Sequence, residues 1–190
     1  MERPYQGNAT IEDNFSNLKV TIPARRNGAV IAFLIIWLCG WCLGEFTVLG
    51  AITGILKGST PSPFLSVWLV GWTVGGFFAF NVLIWNLKGK EIITVETDTL
   101  TIEKKATLFF KPKSYDLNEV KNIRVDETVP DNGFLQRRNA MEAFTSTGVI
   151  RFDYGMRTVK FAGGVDAAEA KFILQKLNER HLLSEKNYQQ

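Results

Sequence analysis

Histidine and cysteine, which supply many catalytic and metal sites, are almost absent from this chain of 190 residues. His181 is the only histidine, so neither a histidine-based triad nor a multi-histidine metal site can be assembled. A glycine-rich phosphate loop is also missing, and one cluster of acids lacks the spacing of a metal-binding loop: Asp126, Glu127 and Asp131. The sequence therefore predicts a protein that is not an enzyme and uses no metal or cofactor.

The two cysteines form a Cys-x-x-Cys pair in the stretch WLCGWCLGEF, residues 37–46. Such a dithiol works when one thiolate is stabilised at a helix N-terminus and stays accessible. Cys39 and Cys42 lie instead within a long apolar run, where the low dielectric disfavours a thiolate. Small apolar filler is the favoured interpretation, and thiol redox chemistry stays as an alternative. No disulfide framework is left for the rest of the chain, which fits a reducing compartment.

Charge is missing from two long stretches, although the mean hydropathy of the chain is only +0.01. Residues 28–56 carry one charged side chain, Glu45, and residues 59–87 carry none. Both exceed the roughly 20 residues needed to cross a hydrocarbon core of about 30 Å. They predict two transmembrane helices, over about 28–50 and 64–87, joined by a tight loop at 57–63. The long polar segment before the first run is unlike a secretory signal peptide.

Positively charged residues flank these runs unevenly. The connecting loop contains Lys57 alone, whereas the two outer flanks contain five: Lys19, Arg25, Arg26, Lys88 and Lys90. Because Lys and Arg accumulate on the cytoplasmic side of membrane proteins, both termini are predicted to be cytoplasmic. The net charge of +3 is too small and too evenly mixed to indicate a nucleic-acid binder.

A second stretch, WLVGWTVGGF (68–77), repeats six of the ten letters of the first in register. At about 1.5 Å per residue, Trp41 and Trp72 both fall roughly 20 Å from the cytoplasmic side of a hairpin. Glycines four residues apart give a helix a flat face that another backbone can approach. The repeat therefore predicts that four glycines pack the two helices together, with oligomerisation as the alternative: Gly40, Gly44, Gly71 and Gly75.

Two polar residues interrupt the apolar runs. An acid near the bilayer centre costs on the order of 3 kcal/mol, so Glu45 raises the hypothesis of ion or proton handling. If the first helix ends near residue 48, Glu45 lies instead in the far interface; if the helix continues to Leu56, it must tilt or protrude. The interfacial or protruding position of Glu45 is the favoured interpretation. In the second run, Asn81 is the residue predicted to hydrogen-bond to a neighbouring helix.

The N-terminal segment divides into two parts. Residues 1–14 are polar and lack periodicity, which predicts disorder. Within residues 15–26, which lead into the first helix, LKVTIP alternates apolar and polar side chains as a half-buried strand does. A single strand is not stable in water, so this strand is predicted to pair with the C-terminal domain.

The C-terminal domain, residues 88–183, has short β-type runs separated by turn residues. The predicted strands are EIITVET, TLTIEKK, KSYDL, VKNIRVDE, AFTST, VIRFDYG and RTVKFAG, with turns at Asp98 and Gly155 and a long loop over 129–139. Six or seven strands in about 75 residues leave no room for intervening helices. The domain is therefore predicted to be an antiparallel sandwich or barrel.

A helical period replaces the β pattern near the end of the chain. Asp166 and Glu169 have the spacing of a capping box, which predicts a helix to about Leu182. Its apolar stripe should close the open mouth of the barrel: Ala170, Ile173, Leu174 and Leu177. The tail, residues 184–190, is predicted to fray.

A basic and aromatic cluster occupies the connection between the second and third strands of the domain. Basic residues around exposed aromatics on a membrane-tethered domain suit anionic lipid headgroups, although ordinary solvated charge is the favoured interpretation. The cluster consists of Lys104, Lys105, Phe109, Phe110, Lys111 and Lys113. Arg137 and Arg138 in the long loop are likewise explained as solvated charge.

Four segments carry a resemblance to a known family: TIPARRN, VETDTLTIEKK, SYDLNEVKNIRV and RTVKFAGGVDAAEAKFILQKL. Over roughly residues 18–182 the chain resembles the bacterial membrane-anchored pleckstrin-homology-like (PH-like) domains. The resemblance implies an integral membrane protein of the bacterial inner membrane, with a two-helix transmembrane hairpin and a cytoplasmic PH-like barrel capped by a C-terminal amphipathic helix.

The function that the resemblance implies is that of a scaffold or interaction module, acting through protein–protein contacts or self-assembly. The lipid bilayer and a protein partner or second copy are the expected partners, and neither nucleic acid nor a small-molecule ligand is expected. Two alternatives stay open. One is a membrane-embedded activity, either thiol redox at Cys39 and Cys42 or ion handling at Glu45; the other is an assembly factor for a larger membrane complex.

Overall fold

The structure is a computed structural model that describes residues 7–14, 17–53, 63–108, 110–126 and 148–188. The chain divides into two compact units, Arg26–Leu87 and the combination of Met1–Arg25 with Lys88–Gln190. Several predicted features lie outside the described residues: the strand AFTST, the loops 57–62 and 129–139, and the residues Phe109, Glu127, Asp131, Arg137 and Arg138.

The first unit contains two helices, α1 (Gly28–Ile52) and α2 (Pro63–Lys88). The Asn27 side chain caps α1 by accepting hydrogen bonds from the backbone N–H groups of Ala29 and Val30. Pro63, assigned to the loop from sequence, is the first residue of α2, where a missing N–H costs nothing. Both helices are long and apolar enough to cross a membrane.

The apolar side chains of this unit are mostly exposed. Leu34 is the one buried residue of α1, and large side chains such as Phe33, Phe46 and Val67 are largely uncovered. Helices that are apolar on all sides belong in apolar surroundings. The chain itself does not provide such surroundings for α1 and α2 within the described residues, so these helices need a bilayer or a partner.

The second unit, called the β unit below, contains two antiparallel sheets. The five strands of the first sheet lie in chain order: β1 (Thr10–Asp13), β2 (Leu18–Pro23), β3 (Lys90–Val95), β4 (Thr99–Lys105) and β5 (Lys113–Asp116). The second sheet contains β6 (Val120–Val125), β7 (Ile150–Tyr154) and β8 (Arg157–Phe161). Helix α3 (Ala167–Glu179) and a 3-10 helix (Glu185–Tyr188) follow. The predicted antiparallel β domain with a C-terminal helix is confirmed.

Strand β2 is the segment LKVTIP, and its predicted pairing with the C-terminal domain is confirmed. It pairs with β3 from Leu18 opposite Val95 to Pro23 opposite Lys90. Beyond the strands, the Ala24 N–H donates to the Gly89 carbonyl at 2.9 Å. The chain therefore leaves β2 for α1 and returns from α2 to β3 at the same end of the sheet.

Strand β1 corrects the prediction of disorder for residues 10–13, whereas residues 1–6 lie outside the described residues. It pairs with β2, and two contacts with the α3 region and one with the core hold it. The Ala9 N–H donates to a Glu169 carboxylate oxygen at 2.6 Å, Ile11 packs against the core, and Arg180 pairs with Asp13. These partners lie about 160 positions away in sequence. The local sequence pattern of residues 9–13 therefore does not indicate these partners.

Helix α3 covers the core shared by the two sheets. Its predicted apolar stripe is buried, and Asp166 accepts a hydrogen bond from the Glu169 N–H at 2.7 Å, so the N-cap is confirmed. The helix ends at Glu179, three residues before the predicted Leu182. A Schellman turn stops it: His181 adopts a φ of 55°, and the Leu182 N–H donates back to the Leu177 carbonyl. The single histidine therefore has a structural position.

The tail corrects the prediction of fraying over residues 184–190, as far as it is described. Asn187 is buried, and its side-chain amide donates to the carbonyl oxygens of Leu117 at 2.7 Å and Val120 at 2.8 Å. Its amide oxygen accepts from the Ser184 N–H at 2.8 Å. These hydrogen bonds of a buried polar side chain fix the short helix to Leu117 and to Val120, the first residue of β6.

The predicted turn around Gly155 is confirmed. Tyr154 opposes Arg157, so the connection between β7 and β8 contains two residues. Gly155 has a φ of 57°, and Met156 is not among the residues with positive φ. Glycine at the first central position and an ordinary second residue are typical of a type II′ hairpin turn.

Candidate functional site

A pocket in the β unit gathers four lysines. It has an open volume of about 440 Å³ and is lined by β3, β4, β5, β8 and the connection between β4 and β5. Its lining includes Glu91, Lys104, Phe110, Lys111, Lys113 and Lys160. We call it the lysine pocket.

Sheet register brings these lysines together from separate elements. Lys104 on β4 lies opposite Glu91 on β3, and Lys113 begins β5 opposite Ile102. Lys160 comes from β8 in the other sheet. The Lys104 ammonium lies 4.9 Å from the centre of the Phe110 ring, within range of a cation–π interaction. The pocket is therefore a positively charged depression with an aromatic wall.

Glu91 is the buried acid of the pocket, with 3% of its surface exposed. Its Oε2 accepts a hydrogen bond from the Gly163 N–H at 3.2 Å, whereas its Oε1 is buried without a hydrogen-bond partner. Burial raises the pKa of the Glu91 carboxyl, and the charge of Lys104 and the N–H groups of Gly163 and Ala162 oppose the rise. An acid with an unsatisfied buried oxygen is uncommon in a structural position and marks this pocket as a candidate site.

Glu91→Gln is expected to stabilise the β unit at neutral pH. The folded state holds the Glu91 proton more tightly than the unfolded chain, so wild-type stability falls as pH rises from about 4.5 through the raised pKa. Glutamine still accepts from Gly163 and never ionises. Each unit by which the pKa is raised corresponds to about 1.4 kcal/mol at neutral pH. Well below 4.5 both states are protonated, and this difference should vanish.

Thermal unfolding of the full chain in uncharged detergent, followed across pH, measures this effect. Glu96 is exposed and directly follows the last residue of β3, so Glu96→Gln provides a matched control. A pH profile that is the same for Glu91→Gln and wild type would show that Glu91 ionises as easily in the folded protein as in the unfolded chain.

The predicted basic and aromatic cluster is partly assembled in this pocket. Lys104, Phe110, Lys111 and Lys113 line it together. Lys105 does not belong to its lining and lies 3.8 Å from a Glu103 oxygen instead. Sequence reasoning missed two further members, Lys160 and Glu91, because they come from strands distant in sequence. The sequence signal for Glu91 is weak: it is an acid that directly precedes the apolar pair Ile92 and Ile93 of its strand.

The contact between α1 and α2 centres on two tryptophans. The Trp41 Nε1–H donates to the Trp72 carbonyl at 3.1 Å, so the two residues meet in the contact between the helices, as predicted. A Cβ at Gly44 would lie 3.7 Å from the Trp72 ring, and a Cβ at Gly76 would overlap the Trp41 ring. In each helix, therefore, a glycine faces a tryptophan ring of the other helix.

The glycine prediction needs correction. A Cβ at Gly40, Gly71 or Gly75 would meet nothing within 4 Å, so these three glycines do not pack α1 against α2. Gly44 does contact the partner helix, and Gly76 does so in place of Gly75. A Gly-Gly doublet offers two faces about 100° apart, and spacing alone does not select the one that faces the neighbouring helix.

The polar residues of the helices also differ from prediction in part. Thr73 Oγ1 lies 2.6 Å from Glu45 Oε1, whereas Glu45 Oε2 is buried without a hydrogen-bond partner. Asn81 donates to the Phe77 carbonyl of its own helix at 2.8 Å, not to a neighbouring helix as predicted. Cys39 and Cys42 are free and exposed on α1.

Among the residues that the structure describes, no group of three or more His, Cys, Asp or Glu side chains is placed to hold a metal ion. No protein-family model and no curated protein matches the chain. The features that indicate a function are therefore the lysine pocket, the helix pair and the way the chain connects them.

Proposed function

We propose that this protein is a membrane-tethered, PH-like interaction module of the bacterial inner membrane, in which α1 and α2 cross the bilayer and the β unit contacts a protein partner or a second copy on the cytoplasmic side, without catalysis. The observation that supports this proposal is the insertion of both apolar helices between two paired strands. The Ala24–Gly89 hydrogen bond and the Pro23–Lys90 pair join the two connections directly.

Two connections at the same end of the sheet, one from β2 to α1 and one from α2 to β3, are a suitable way to attach the β unit to a membrane anchor. Ala24 and Gly89 are both bonded into the end of the sheet, and few residues separate each of them from its helix. The β unit is thus attached by two short chain segments, and tethering raises its effective concentration toward any partner in the same membrane. The two antiparallel sheets and the C-terminal helix α3 support the PH-like assignment.

Cysteine labelling tests the orientation. In a Cys39→Ser/Cys42→Ser background, a cysteine replaces Met156, which is fully exposed at the β7–β8 turn. A membrane-impermeant maleimide is expected to label Met156→Cys only after the cytoplasmic membrane is opened. Ser59→Cys, between the two helices in sequence, provides the opposite control and should react in spheroplasts. Labelling of Met156→Cys from outside, or recovery of the protein without detergent, would contradict the proposed anchor.

The interaction role requires a separate experiment. Crosslinking in native membranes, followed by purification of the full chain and mass spectrometry, is expected to give either a defined partner or a self-crosslinked dimer. The crosslinked residues should map to the β unit. A protein recovered only as a monomer at every crosslinker length would contradict the proposed interaction role.

A polar site within the helix pair is the second candidate function, because Glu45 Oε2 is buried and unsatisfied beside the Thr73 contact. On the interaction proposal, Glu45→Gln keeps an acceptor for Thr73 and should leave membrane localisation and crosslinking unchanged. Measuring proton flux into vesicles that contain the purified protein distinguishes ion handling at Glu45 from the interaction role. Flux above that of empty vesicles, abolished by Glu45→Gln, would replace the interaction proposal with ion handling.

A further inference from the structure

We propose that the lysine pocket is a binding site for a phosphate-bearing anion. The proposal goes beyond the interaction role, since it assigns a ligand to a site within the β unit and does not depend on a protein partner.

The first reason is charge. Four lysines, Lys104, Lys111, Lys113 and Lys160, line one pocket of about 440 Å³ together with a single carboxyl group, that of Glu91. Among the described residues, no acidic side chain forms an ion pair with Lys111, Lys113 or Lys160. Lys111, Lys113 and Lys160 are exposed, so water screens the repulsion between their charges, and an anion bound between them would remove what repulsion is left. Lysine serves in many proteins as the point charge that binds phosphate.

The second reason is the unsatisfied oxygen of Glu91. Its Oε1 is buried without a partner although Glu91 lines the pocket. Because burial raises the pKa of this carboxyl, Glu91 holds a proton more readily than an exposed acid and can donate it in a hydrogen bond to a ligand oxygen. Tyr115 is also in the lining, and its ring packs edge-on against Phe152 and Tyr154. A phosphate group has enough acceptor oxygens to use several such donors at once.

The position of Glu91 in the chain favours a membrane source for this phosphate. Glu91 follows Lys88, the last residue of α2, by three positions, and three residues span at most about 10 Å. If α2 ends at the bilayer surface, headgroup phosphates lie within reach of the pocket. Free phosphate carries the same recognition chemistry, so the experiment has one part for each source.

The first part titrates inorganic phosphate into the full chain in uncharged detergent by calorimetry. The test variant is Lys113→Gln/Lys160→Gln, whose two lysines come from different sheets and meet only at the pocket. The control is Lys121→Gln/Lys186→Gln, which removes the same charge from exposed positions outside the pocket. Each pocket lysine should contribute about fivefold to affinity. The pocket variant, which lacks two of them, should therefore bind phosphate about 25-fold more weakly, and the control should match wild type.

The second part uses the same three proteins in nanodiscs of phosphatidylcholine with or without phosphatidylglycerol. If the ligand is a headgroup, phosphatidylglycerol should slow hydrogen exchange of residues 104–108 and 159–163 in wild type and in the control, but not in the pocket variant. Phosphate binding without this lipid effect would assign the site to free phosphate.

Two results would overturn the proposal. One is an equal loss of phosphate affinity in the pocket and control variants, which would show that binding depends on the overall charge of the protein and not on the pocket. The other is the absence of both phosphate binding and lipid-dependent protection. Neither result bears on crosslinking to a protein partner, so this proposal and the proposed function fail independently.

Discussion

Replacing Asn187 with alanine is expected to lower the free energy of unfolding of the β unit by about 2–4 kcal/mol. The side-chain amide of Asn187 satisfies the carbonyl oxygens of Leu117 and Val120 and accepts from the Ser184 N–H. Asn187 is 4% exposed, so alanine leaves these backbone groups buried without a ready replacement by water. The cost is that of unsatisfied buried polar groups.

Asn178→Ala provides the control for this variant. Asn178 is exposed on α3, and alanine is the better helix former, so this change should be neutral or slightly stabilising. Chemical unfolding of the full chain in detergent gives the stability, and hydrogen exchange locates the loss. Faster exchange is expected in residues 117–120 and 183–188. If Asn187→Ala is as stable as Asn178→Ala, the tail is not bound to the β unit.

Replacing Gly76 with leucine is expected to separate α1 from α2, at a cost of about 2–3 kcal/mol. Any Cβ at this position overlaps the Trp41 ring, and a leucine side chain adds three more carbon atoms. Displacing the indole also breaks the hydrogen bond from Trp41 Nε1–H to the Trp72 carbonyl. In an apolar environment that bond has no water to replace it.

The neighbouring Gly75 provides a matched control, because Gly75→Leu changes the same helix by the same atoms while its Cβ meets nothing within 4 Å. All five tryptophans lie in α1 and α2, so tryptophan fluorescence during unfolding in mixed micelles reports on the helix pair alone. Gly76→Leu should shift the midpoint and Gly75→Leu should not. A larger, concentration-dependent effect of Gly75→Leu would show instead that the outer glycine face binds a second copy.

Sequence patterns predicted the elements that bury a periodic face. The alternation in LKVTIP predicted β2, the stripe from Ala170 to Leu177 predicted α3, and the apolar runs predicted α1 and α2 to within a few residues. In each case the buried face repeats within one segment, so the segment itself contains the signal. The pairing of β2 with the C-terminal domain followed because an isolated strand has no stability.

The elements that were missed depend on partners distant in sequence. Strand β1 is held by Glu169 and Arg180. The tail is held through Asn187 by two carbonyls, one just before β6 and one at its first residue. Neither segment has a periodic apolar face of its own. The lysine pocket was predicted only in part, for the same reason. The local cluster on the β4–β5 connection can be recognised in the sequence, whereas Glu91 and Lys160 lie on strands distant in sequence that the fold brings to the pocket.

The insertion of the helix pair between β2 and β3 sets an order of events during synthesis. Strand β2 leaves the ribosome first, yet its neighbour β3 is made only after both helices have been translated. At roughly 5–20 residues per second, the edge of β2 that pairs with β3 must wait on the order of several seconds, whereas β1, which is made earlier, is already available to the other edge. The first sheet can then close only if both ends of the helix pair return to the same compartment. If α1 and α2 cross the bilayer as proposed, a complete first sheet requires that both ends of the helix pair lie on one side, and a chain inserted in another way would leave the β3-pairing edge of β2 open.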